Sequence, residues 1–417
     1  MHICADRLWS TLMDLAEIGR FCEGGVNRQA LSDEEAVAWR QIMAWARESG
    51  LEISVDPAAN LFITLPGQVR EHPPLLVGSH IDTQPTGGRF DGILGVLAGL
   101  EGLRSMVEQG IRPERDIMVV GWMNEEGSRF APGMSGSEAF AGVRALDAIR
   151  AGHENGGTRT LGDVLAGFLA QFADLPRRAL GFTPAAYLEL HIEQGPELEA
   201  AGVDIGIVTG IQGKKTYRIE IEGTAGHAGT VPMAVRADSL RTFAALADTL
   251  FDRMQALGPD IRFTIGQVLV EPNAPSVIPS RVRFSIDLRH PDNAVLDRAG
   301  HEIGQAVRAL HTPCTITVHP LVDAASNIFD PGFRQMIGQI AARHGLSAMP
   351  ILSTAGHDAR NIAMLCPSAM IFVPSHRGIS HAPQEWTTPR QVRAGAQVLA
   401  DMMVELGSAE QKTHMPH

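Results

Sequence analysis

Short apolar runs that end in polar side chains recur along the first half of the chain and predict buried β-strands, as in PPLLVGSHIDT, DIMVVGWMNEEG and AAYLELHIEQG. Helical patterns separate these runs. One helix is well delimited in LSDEEAVAWRQIMAWARESG, where Ser32 can cap the first turn, Glu35 completes a capping box and Gly50 ends the helix. Strands that alternate with helices indicate an α/β sheet, whose ligands gather beyond the strand ends.

The middle of the chain has a different pattern. KKTYRIEIEG, IRFTIGQVLV, SRVRFSIDLRH and CTITVHPL are predicted strands, and VRADSLRTFAALADTLFDRM and NAVLDRAGHEIGQAVRAL are predicted helices. Their order, β-α-β-β-α-β, is that of a ferredoxin-like α+β sandwich. We therefore expect an α/β domain formed by residues 1–211 and 328–417, with a second domain, residues 212–327, inserted in it.

Composition narrows the class of protein. A length of 417 residues fits two domains, and 44% hydrophobic with 20% charged residues is typical of a soluble globular protein. The 35 basic residues are outnumbered by 47 acidic ones and form no long run, so we expect no nucleic-acid partner. No stretch has the ~20 apolar residues of a membrane helix, and the N-terminus lacks the apolar core of a signal peptide. The scattered cysteines, Cys4, Cys22, Cys314 and Cys366, indicate reduced thiols in a cytoplasmic protein.

Five residues at strand ends or in glycine-rich loops could share a metal centre: His80, Asp91, Glu126, His191 and His381. Imidazole and carboxylate together suit zinc, manganese, cobalt or nickel better than calcium or magnesium. Asp91 lies in GGRFDGILGV, whose glycines allow the backbone to approach a bound group closely. A single residue of this kind is more often structural or solvated. The metal site is predicted by the setting that all five share.

The run VVGWMNEEGSRF ends in two adjacent acids, Glu125 and Glu126, which repel each other unless a cation lies between them or one stays protonated. An isolated pair of acids is usually a solvated turn. Adjacent side chains of an extended segment point in different directions, so Glu126 can bind metal while Glu125 exchanges a proton with a water that the metal activates. Asp82 either accepts a hydrogen bond from the imidazole nitrogen of His80 that does not bind metal, or caps a turn.

Six motifs, in this order, resemble those of the dinuclear-metal amidohydrolases: GSHIDT, GGRFDGILGV, NEEGSRF, HIEQG, AGHAGTVPM and ISHAPQE. This family includes N-carbamoyl-L-amino-acid hydrolase, β-ureidopropionase of the yeast type and allantoate amidohydrolase, within the aminoacylase and carboxypeptidase-like metallopeptidase superfamily. The resemblance extends over nearly the whole chain. It implies a zinc-exopeptidase-like catalytic domain, and it implies that the inserted domain is the lid and dimerisation domain of a homodimer.

The resemblance also implies roles for the predicted metal ligands. Asp91 would bridge two divalent metal ions per subunit, with zinc as the first expectation and manganese, cobalt or nickel as alternatives. His80 and His191 would bind one ion, and Glu126 and His381 would bind the other.

Further roles follow from the same resemblance. Glu125 would be the general base, and His227 would reach the neighbouring subunit's site and steady the tetrahedral intermediate. The residues expected to shape the substrate pocket are Gln194, Asn273, Ser276 and Arg289. Ser276 stands where the family usually has asparagine, and a hydroxyl has one donor where an amide has two, which puts the substrate's identity in doubt. His357 and Asp358, in TAGHDAR, match a family signature that we interpret as a structural turn near the site.

The predicted activity is hydrolysis of the carbamoyl C–N bond of an N-carbamoyl-L-amino acid, or of N-carbamoyl-β-alanine, to the amino acid, carbon dioxide and ammonia. Allantoate is the nearest alternative substrate, followed by an N-acyl amino acid. Two other classes are less favoured. A serine hydrolase would need a G-x-S-x-G elbow, which GMSGS around Ser135 does not provide. A binding protein without catalysis would be expected to lack a ligand or the base, yet every expected position is filled.

Overall fold

The computed structural model describes residues 1–408. Contacts divide the chain into two compact units, one formed by residues 1–209 and 329–408 and the other by Gly210–Ile328. In residues 1–408 no helix is both long and apolar enough to cross a membrane. The four cysteines are free thiols.

Helices and strands are numbered along the whole chain. The helices are α1 (Ala5–Ala16), α2 (Asp33–Glu48), α3 (Ile93–Glu108), α4 (Ser135–Ala141), α5 (Leu146–Arg150), α6 (Leu161–Ala170), α7 (Glu197–Ala201), α8 (Ser239–Gln255), α9 (Asn293–Ala309), α10 (Pro331–Arg343), α11 (Ala359–Ile362) and α12 (Pro389–Gly407). Two short 3₁₀ helices span Met233–Val235 and His376–Gly378. The strands are β1 (Arg20–Cys22), β2 (Gly25–Val26), β3 (Glu52–Val55), β4 (Leu61–Leu65), β5 (Leu75–His80), β6 (Ile117–Trp122), β7 (Ala186–Ile192), β8 (Ile205–Ile211), β9 (Gly213–Glu222), β10 (Gly226–His227), β11 (Arg262–Glu271), β12 (Val277–Ile278), β13 (Arg281–His290), β14 (Thr315–Ala324), β15 (Asn327–Ile328), β16 (Ala348–Ser353) and β17 (Ser368–Val373).

The first unit is built on one large sheet with the order β8-β17-β7-β5-β6-β4-β3, to which β16 adds beside β8. Strands β17, β7, β5 and β6 run parallel. Every residue of these four strands is buried, because helices such as α3 and α12 cover the sheet. Parallel strands bring their carboxyl ends to one edge, so the polar residues that follow them meet there.

Helix α2 begins as the sequence predicts, with one difference at its first turn. The Ser32 side chain accepts a hydrogen bond from the N–H of Glu35 at 3.2 Å. The Glu35 carboxylate accepts from the N–H of Leu31 and not from that of Ser32. The N–H of Ser32 already donates to the carbonyl of Gln29, and Leu31 has a positive φ of 57°. The capping box therefore closes one residue earlier than expected.

The second unit has the element order β9-α8-β11-β13-α9-β14, leaving aside its two-residue strands. Its antiparallel four-stranded sheet has the order β11-β13-β9-β14, and α8 and α9 pack on it. Along β13 the residues Val282, Phe284, Ile286 and Leu288 are buried. The residues between them are less buried, as the alternation in SRVRFSIDLRH predicts.

Candidate metal centre

The predicted ligands of the first unit meet at the carboxyl edge of its parallel strands. His80 is the last residue of β5, His191 is next to last in β7, and the acid pair follows β6. Asp91 lies between β5 and α3, and His381 follows β17 in the chain. These residues form two groups, and within each group the donor atoms lie within 4.8 Å of one another. The first group is His80, Asp91 and His191, and the second is Asp91, Glu126 and His381.

Asp91 belongs to both groups, and its two oxygen atoms face different partners. Oδ1 lies 3.1 Å from His191 Nε2 and 3.6 Å from His80 Nε2. Oδ2 lies 3.2 Å from His381 Nε2, which in turn lies 3.5 Å from Glu126 Oε2. One carboxylate therefore stands between two sets of donors, each with an oxygen of its own.

Backbone carbonyls orient the two buried histidine rings. His80 Nδ1 lies 2.9 Å from the carbonyl oxygen of Asp82, and His191 Nδ1 lies 2.8 Å from that of Ile192. A carbonyl oxygen only accepts, so each Nδ1 carries a hydrogen and each Nε2 is the ring nitrogen that faces Asp91. The Nε2 of His191 also lies 3.2 Å from the backbone N–H of Gly92.

Of the two roles left open for the Asp82 carboxylate, the structure does not show the hydrogen bond from His80. The carboxylate lies 3.6 Å from His80 Nδ1, farther than the residue's own carbonyl oxygen. Its two oxygens accept the backbone N–H groups of Glu125 and Glu126, each at 3.2 Å. Because these bonds occupy the carboxylate, the hydrogen bond from His80 goes to the carbonyl. Asp82 thus fixes the backbone of the acid pair.

The two acids then diverge, as expected for adjacent side chains. Glu126 points to His381, and its carboxylate also accepts hydrogen bonds from the side chain of Gln84 at 2.7 Å and from the backbone N–H of Gln84 at 3.1 Å. Glu125 Oε2 lies 3.6 Å from His80 Nε2, on the side of the other group. Glu126 completes the second group, and Glu125 stands beside His80 of the first group.

The buried acids make the centre strongly attractive to positive charge. Burial raises the pKa of Glu125 well above its usual value, and burial together with Asp91 raises the pKa of Glu126 to about 7. Burial lowers the pKa of His80, but Glu125 and Asp91 outweigh it, and the pKa of His80 lies well above its usual value. The hydrogen bond with Asp91 raises the pKa of His381 to about 9. A site that holds protons so tightly also favours a divalent cation in their place.

Gln194, expected in the substrate pocket, points into the centre. Its side-chain amide donates to Asp91 Oδ2 at 2.9 Å and lies 3.3 Å from His381 Nε2. Its φ of 57° turns the chain just after β7. It lies within reach of whatever occupies the space between Asp91 and His381.

His357 and Asp358 lie behind the centre, close to where the TAGHDAR motif was expected. The His357 ring packs edge-on against His191 with 4.5 Å between centroids, and its Nε2 lies 3.0 Å from Ser353 Oγ. Asp358 accepts a hydrogen bond from the Ser137 hydroxyl. Both residues are buried, and His357 supports the ring of the candidate ligand His191.

A third group of donors, Glu189, His191 and His357, also lies within 4.8 Å. The oxygens of Glu189 accept hydrogen bonds from the hydroxyls of Ser79 and Tyr187 and from a backbone N–H. His191 presents Nε2 to Asp91, so it cannot serve both groups with that atom. We therefore interpret this group as a hydrogen-bonded support for His191.

A segment near the N-terminus forms one wall of the centre, which the sequence reasoning missed. Arg28 is buried and donates to the carbonyl oxygens of Ile81 at 3.0 Å and of Leu15 and Ile18 at 3.2 Å. Its backbone N–H donates to Thr83 Oγ1, and the N–H of Thr83 donates to the Arg28 carbonyl. These bonds hold the loop after β5. A lone arginine between short polar residues gives no periodic signal of burial.

The second unit brings three other predicted residues together at one end of its sheet. Strand β10 pairs with β12, so that His227 lies opposite Val277. The carbonyl of Ser276 accepts the N–H of Ala228 at 3.0 Å. Asn273 follows the end of β11 and has a φ of 53°. His227, Ser276 and Asn273 are all exposed.

Arg289 lies at the opposite end of the same sheet. Residue Arg281 of β13 pairs with Glu222 near the cluster just described, whereas Arg289 pairs with Lys214. Eight residues of extended chain separate Arg281 from Arg289, about 27 Å at 3.4 Å per residue. The Arg289 guanidinium donates to Asp287 Oδ1 at 2.8 Å on its own strand. Within one subunit, then, Arg289 does not lie beside Ser276.

The donor set of the first unit suits two divalent metal ions. Each of the two groups offers imidazole nitrogen and carboxylate oxygen, and each has three donors, which leaves a position for water or substrate on a four-coordinate ion. The shared Asp91 carboxylate matches a bridging ligand, because its oxygens face opposite groups.

Comparison with known proteins agrees with this geometry. Residues 76–405 match Peptidase family M20/M25/M40, and the chain belongs to this family. An N-carbamoyl-L-amino-acid amidohydrolase of Rhizobium meliloti is 38% identical over 97% of both chains. An allantoate amidohydrolase of Bacillus subtilis is 34% identical over 94% of this chain and 95% of its own. The crystal structure of an amidase of the hydantoinase/carbamoylase family from Burkholderia vietnamiensis has a TM-score of 0.87 at 39% identity and 98% coverage of both chains. The resemblance read from the six motifs is confirmed.

The ligand sets predict how metal content responds to single changes. We expect the wild-type protein to retain two ions of Zn²⁺ or Co²⁺ on equilibrium dialysis, His381→Ala to retain one, and Asp91→Asn to weaken both sites, because only Asp91 belongs to both groups. His376→Ala is the matched control, since His376 is an exposed histidine that pairs with Glu199. Elemental analysis gives the count. Two tightly held ions in Asp91→Asn would contradict the bridging arrangement.

Proposed function

We propose that this protein is a dinuclear metal-dependent amidohydrolase that cleaves the carbamoyl C–N bond of N-carbamoyl-L-amino acids or N-carbamoyl-β-alanine. The observation that carries the proposal is a pair of donor groups that share Asp91, with Glu125 beside His80 of the first group. The relative from Rhizobium meliloti, named for N-carbamoyl-L-amino-acid hydrolysis and similar over its full length, supports the choice of substrate class. One water converts the carbamoyl amino acid to amino acid, carbon dioxide and ammonia.

Zinc is the proposed metal, with manganese, cobalt and nickel as alternatives. His80, His191 and Asp91 would hold one ion, and Asp91, Glu126 and His381 the other. When bound, such ions polarise a carbonyl group and lower the pKa of water. Neither ligand set distinguishes strongly between these ions, because all four accept imidazole and carboxylate.

Glu125 is proposed as the general base. Its carboxylate is almost wholly buried, and its Oε2 lies 3.6 Å from Nε2 of the candidate ligand His80. From there it would take a proton from the attacking water and return it to the leaving nitrogen, as a positioned carboxylate does in general acid–base catalysis. Burial raises its pKa, which makes it a stronger base for this exchange.

We propose that the second unit is a ferredoxin-like lid and dimerisation domain. His227, Asn273 and Ser276 lie at one end of its sheet and Arg289 at the other, about 27 Å apart by strand length. A small substrate cannot touch both ends within one subunit. We therefore assign His227 and Asn273 to the site of the partner subunit in a homodimer, where His227 would stabilise the developing oxyanion.

We propose that Arg289 serves the site of its own subunit, since it lies at the other end of the sheet from His227 and Asn273. The proposed partner of Arg289 is the substrate carboxylate, because a guanidinium can donate two parallel hydrogen bonds to it. Arg289 forms an ion pair with Asp287 in this structure, and both side chains are about one-third exposed. Ion pairs as exposed as this one contribute little to stability.

Allantoate is the second candidate substrate. The allantoate amidohydrolase of Bacillus subtilis is similar over nearly the whole chain. By the resemblance described above, Ser276 stands where the family usually has asparagine, and this change puts the substrate's identity in doubt. A serine hydrolase is not supported. The Ser135 hydroxyl is buried and bonded to Asn124, Pro132 and Arg144, none of which can serve as its base. An assay of ammonia release from N-carbamoyl amino acids, allantoate and N-acyl amino acids, each with added zinc or manganese, distinguishes these candidates.

The acid pair gives the most direct test of the mechanism. Glu125→Gln should lower kcat by roughly 10²–10⁴-fold while both ions stay bound, because the amide cannot take a proton. Glu126→Gln is the matched control, since the same change one residue on should lower metal content. Steady-state kinetics and elemental analysis on the same samples separate the two effects. Near-normal turnover in Glu125→Gln would show that another group is the base.

The dimeric site predicts complementation between inactive subunits. When Glu125→Ala and His227→Ala subunits are mixed and allowed to exchange, activity should return, because one hybrid site then has both residues. Mixing Glu125→Ala with Arg289→Ala should restore nothing, because both residues are assigned to one subunit's site. Ammonia release before and after exchange gives the answer. Failure of the first pair to recover, with exchange shown by mass spectrometry, would refute the shared site.

Arg289 should decide how strongly carboxylated substrates bind. Arg289→Lys is expected to raise KM sharply for N-carbamoyl amino acids and little for their amide-capped analogues, because lysine cannot form the paired hydrogen bonds. Ser276→Asn should shift preference toward N-carbamoyl amino acids over allantoate. Equal losses on charged and capped substrates would show that Arg289 supports the fold and binds no carboxylate.

A further inference from the structure

Glu385 is a buried carboxylate that joins two loops of the candidate metal centre. Its Oε1 accepts the backbone N–H groups of Phe90 at 2.9 Å and Asp91 at 3.1 Å. Its Oε2 accepts the hydroxyl of Ser380 at 2.9 Å. Asp91 and His381 are distant in sequence and lie in these two loops, so Glu385 ties the backbone of the Asp91 loop to the Ser380 side chain beside His381.

The Ser380 hydroxyl lies between two carboxylates. Its oxygen is 2.9 Å from Glu385 Oε2 and 3.2 Å from Asp91 Oδ2, and it also accepts from the side-chain amide of Gln194 at 3.2 Å. A hydroxyl has one hydrogen to donate. If that hydrogen goes to Glu385, Asp91 Oδ2 accepts from the Gln194 amide but not from Ser380, and it keeps more of its acceptor capacity for a cation.

We infer that Glu385 is a positioning residue of the metal centre, which holds the Asp91 loop to the His381 loop and turns the Ser380 hydroxyl away from Asp91 Oδ2. This role rests on the proposed dinuclear site and adds a residue to it. Carboxylates that hold metal ligands in place are often worth 10–100-fold in metal affinity. The loss of metal affinity should affect the site that includes His381, because Ser380 contacts Oδ2 of Asp91 and not Oδ1.

The substitution Glu385→Gln isolates the direction of this hydrogen bond. The amide oxygen of glutamine must face the N–H groups of Phe90 and Asp91, since only an acceptor satisfies them. The amide nitrogen then faces Ser380 and donates to its oxygen. The serine hydrogen is forced toward Asp91 Oδ2, where it competes with a cation. The hydrogen bonds from the Asp91 loop to residue 385 therefore remain, while the serine hydrogen occupies Asp91 Oδ2.

The backbone near Glu385 offers an independent perturbation. A Cβ added at Gly88 would lie 2.4 Å from Glu385 Cβ and Oε1, closer than real contacts allow. Gly88→Ala should therefore displace the carboxylate without removing it. It should weaken the same metal site as Glu385→Gln.

The test compares four proteins by Co²⁺ binding, followed by equilibrium dialysis and by the visible absorption of the bound ion. These are the wild type, Glu385→Gln, the double variant Glu385→Gln/Ser380→Ala, and the control Glu101→Gln. Glu101 is also buried, and it accepts a backbone N–H and a serine hydroxyl, but it lies about 12 Å along α3 from the start of that helix. Thermal unfolding in EDTA shows whether each variant folds without metal.

We expect Glu385→Gln to bind one Co²⁺ as the wild type does and the other at least tenfold more weakly, with unfolding in EDTA close to that of the wild type. Removing the serine hydroxyl in the double variant should restore most of this loss. Glu101→Gln should bind both ions normally. Unchanged binding in Glu385→Gln, or a double variant as weak as the single one, would overturn the inference. A wild-type protein that binds only one ion would instead overturn the dinuclear site itself.

Discussion

Four carboxylates lie at one edge of the parallel sheet and are almost wholly buried. The first unit depends on how their negative charge is stabilised. Asp82, Asp91, Glu125 and Glu126 lie close enough to repel one another, and burial alone would drive protons onto them. A buried charge without a partner is strongly destabilising. The surrounding residues are best understood as the donors and cations that make this concentration of negative charge tolerable.

The compensation is divided between the protein and the proposed metal ions. Backbone N–H groups donate hydrogen bonds to Asp82 and Glu385, and the side-chain amide of Gln84 donates to Glu126. Imidazole nitrogens of three histidines surround Asp91, and the Gln194 amide donates a hydrogen bond to it. A divalent ion on each side of Asp91 would replace imidazole protons with coordination bonds. The parallel strands bring residues that are far apart in the sequence, such as His80 and His191, to one edge of the sheet.

The sequence singles out the five candidate ligands that the structure brings together, because most of them follow a local signal. His80, His191 and the acid pair end buried apolar runs, and Asp91 sits among glycines. Residues that support the ligands have no such signal. Glu385 and Gln84 lie in polar loops, and their importance arises only when distant loops meet. Asp82 shows the same limit, since its position near His80 is apparent from sequence but its bonds to the backbone of the acid pair are not.

The central claim is that the two oxygens of Asp91 bind different metal ions. Anomalous X-ray scattering from crystals grown with Zn²⁺ tests it most directly. The account predicts two peaks per subunit, one beside His80 and His191 and one beside Glu126 and His381, with a different oxygen of Asp91 against each. A single peak, or a peak held by Glu189 and His357 in place of either, would contradict it.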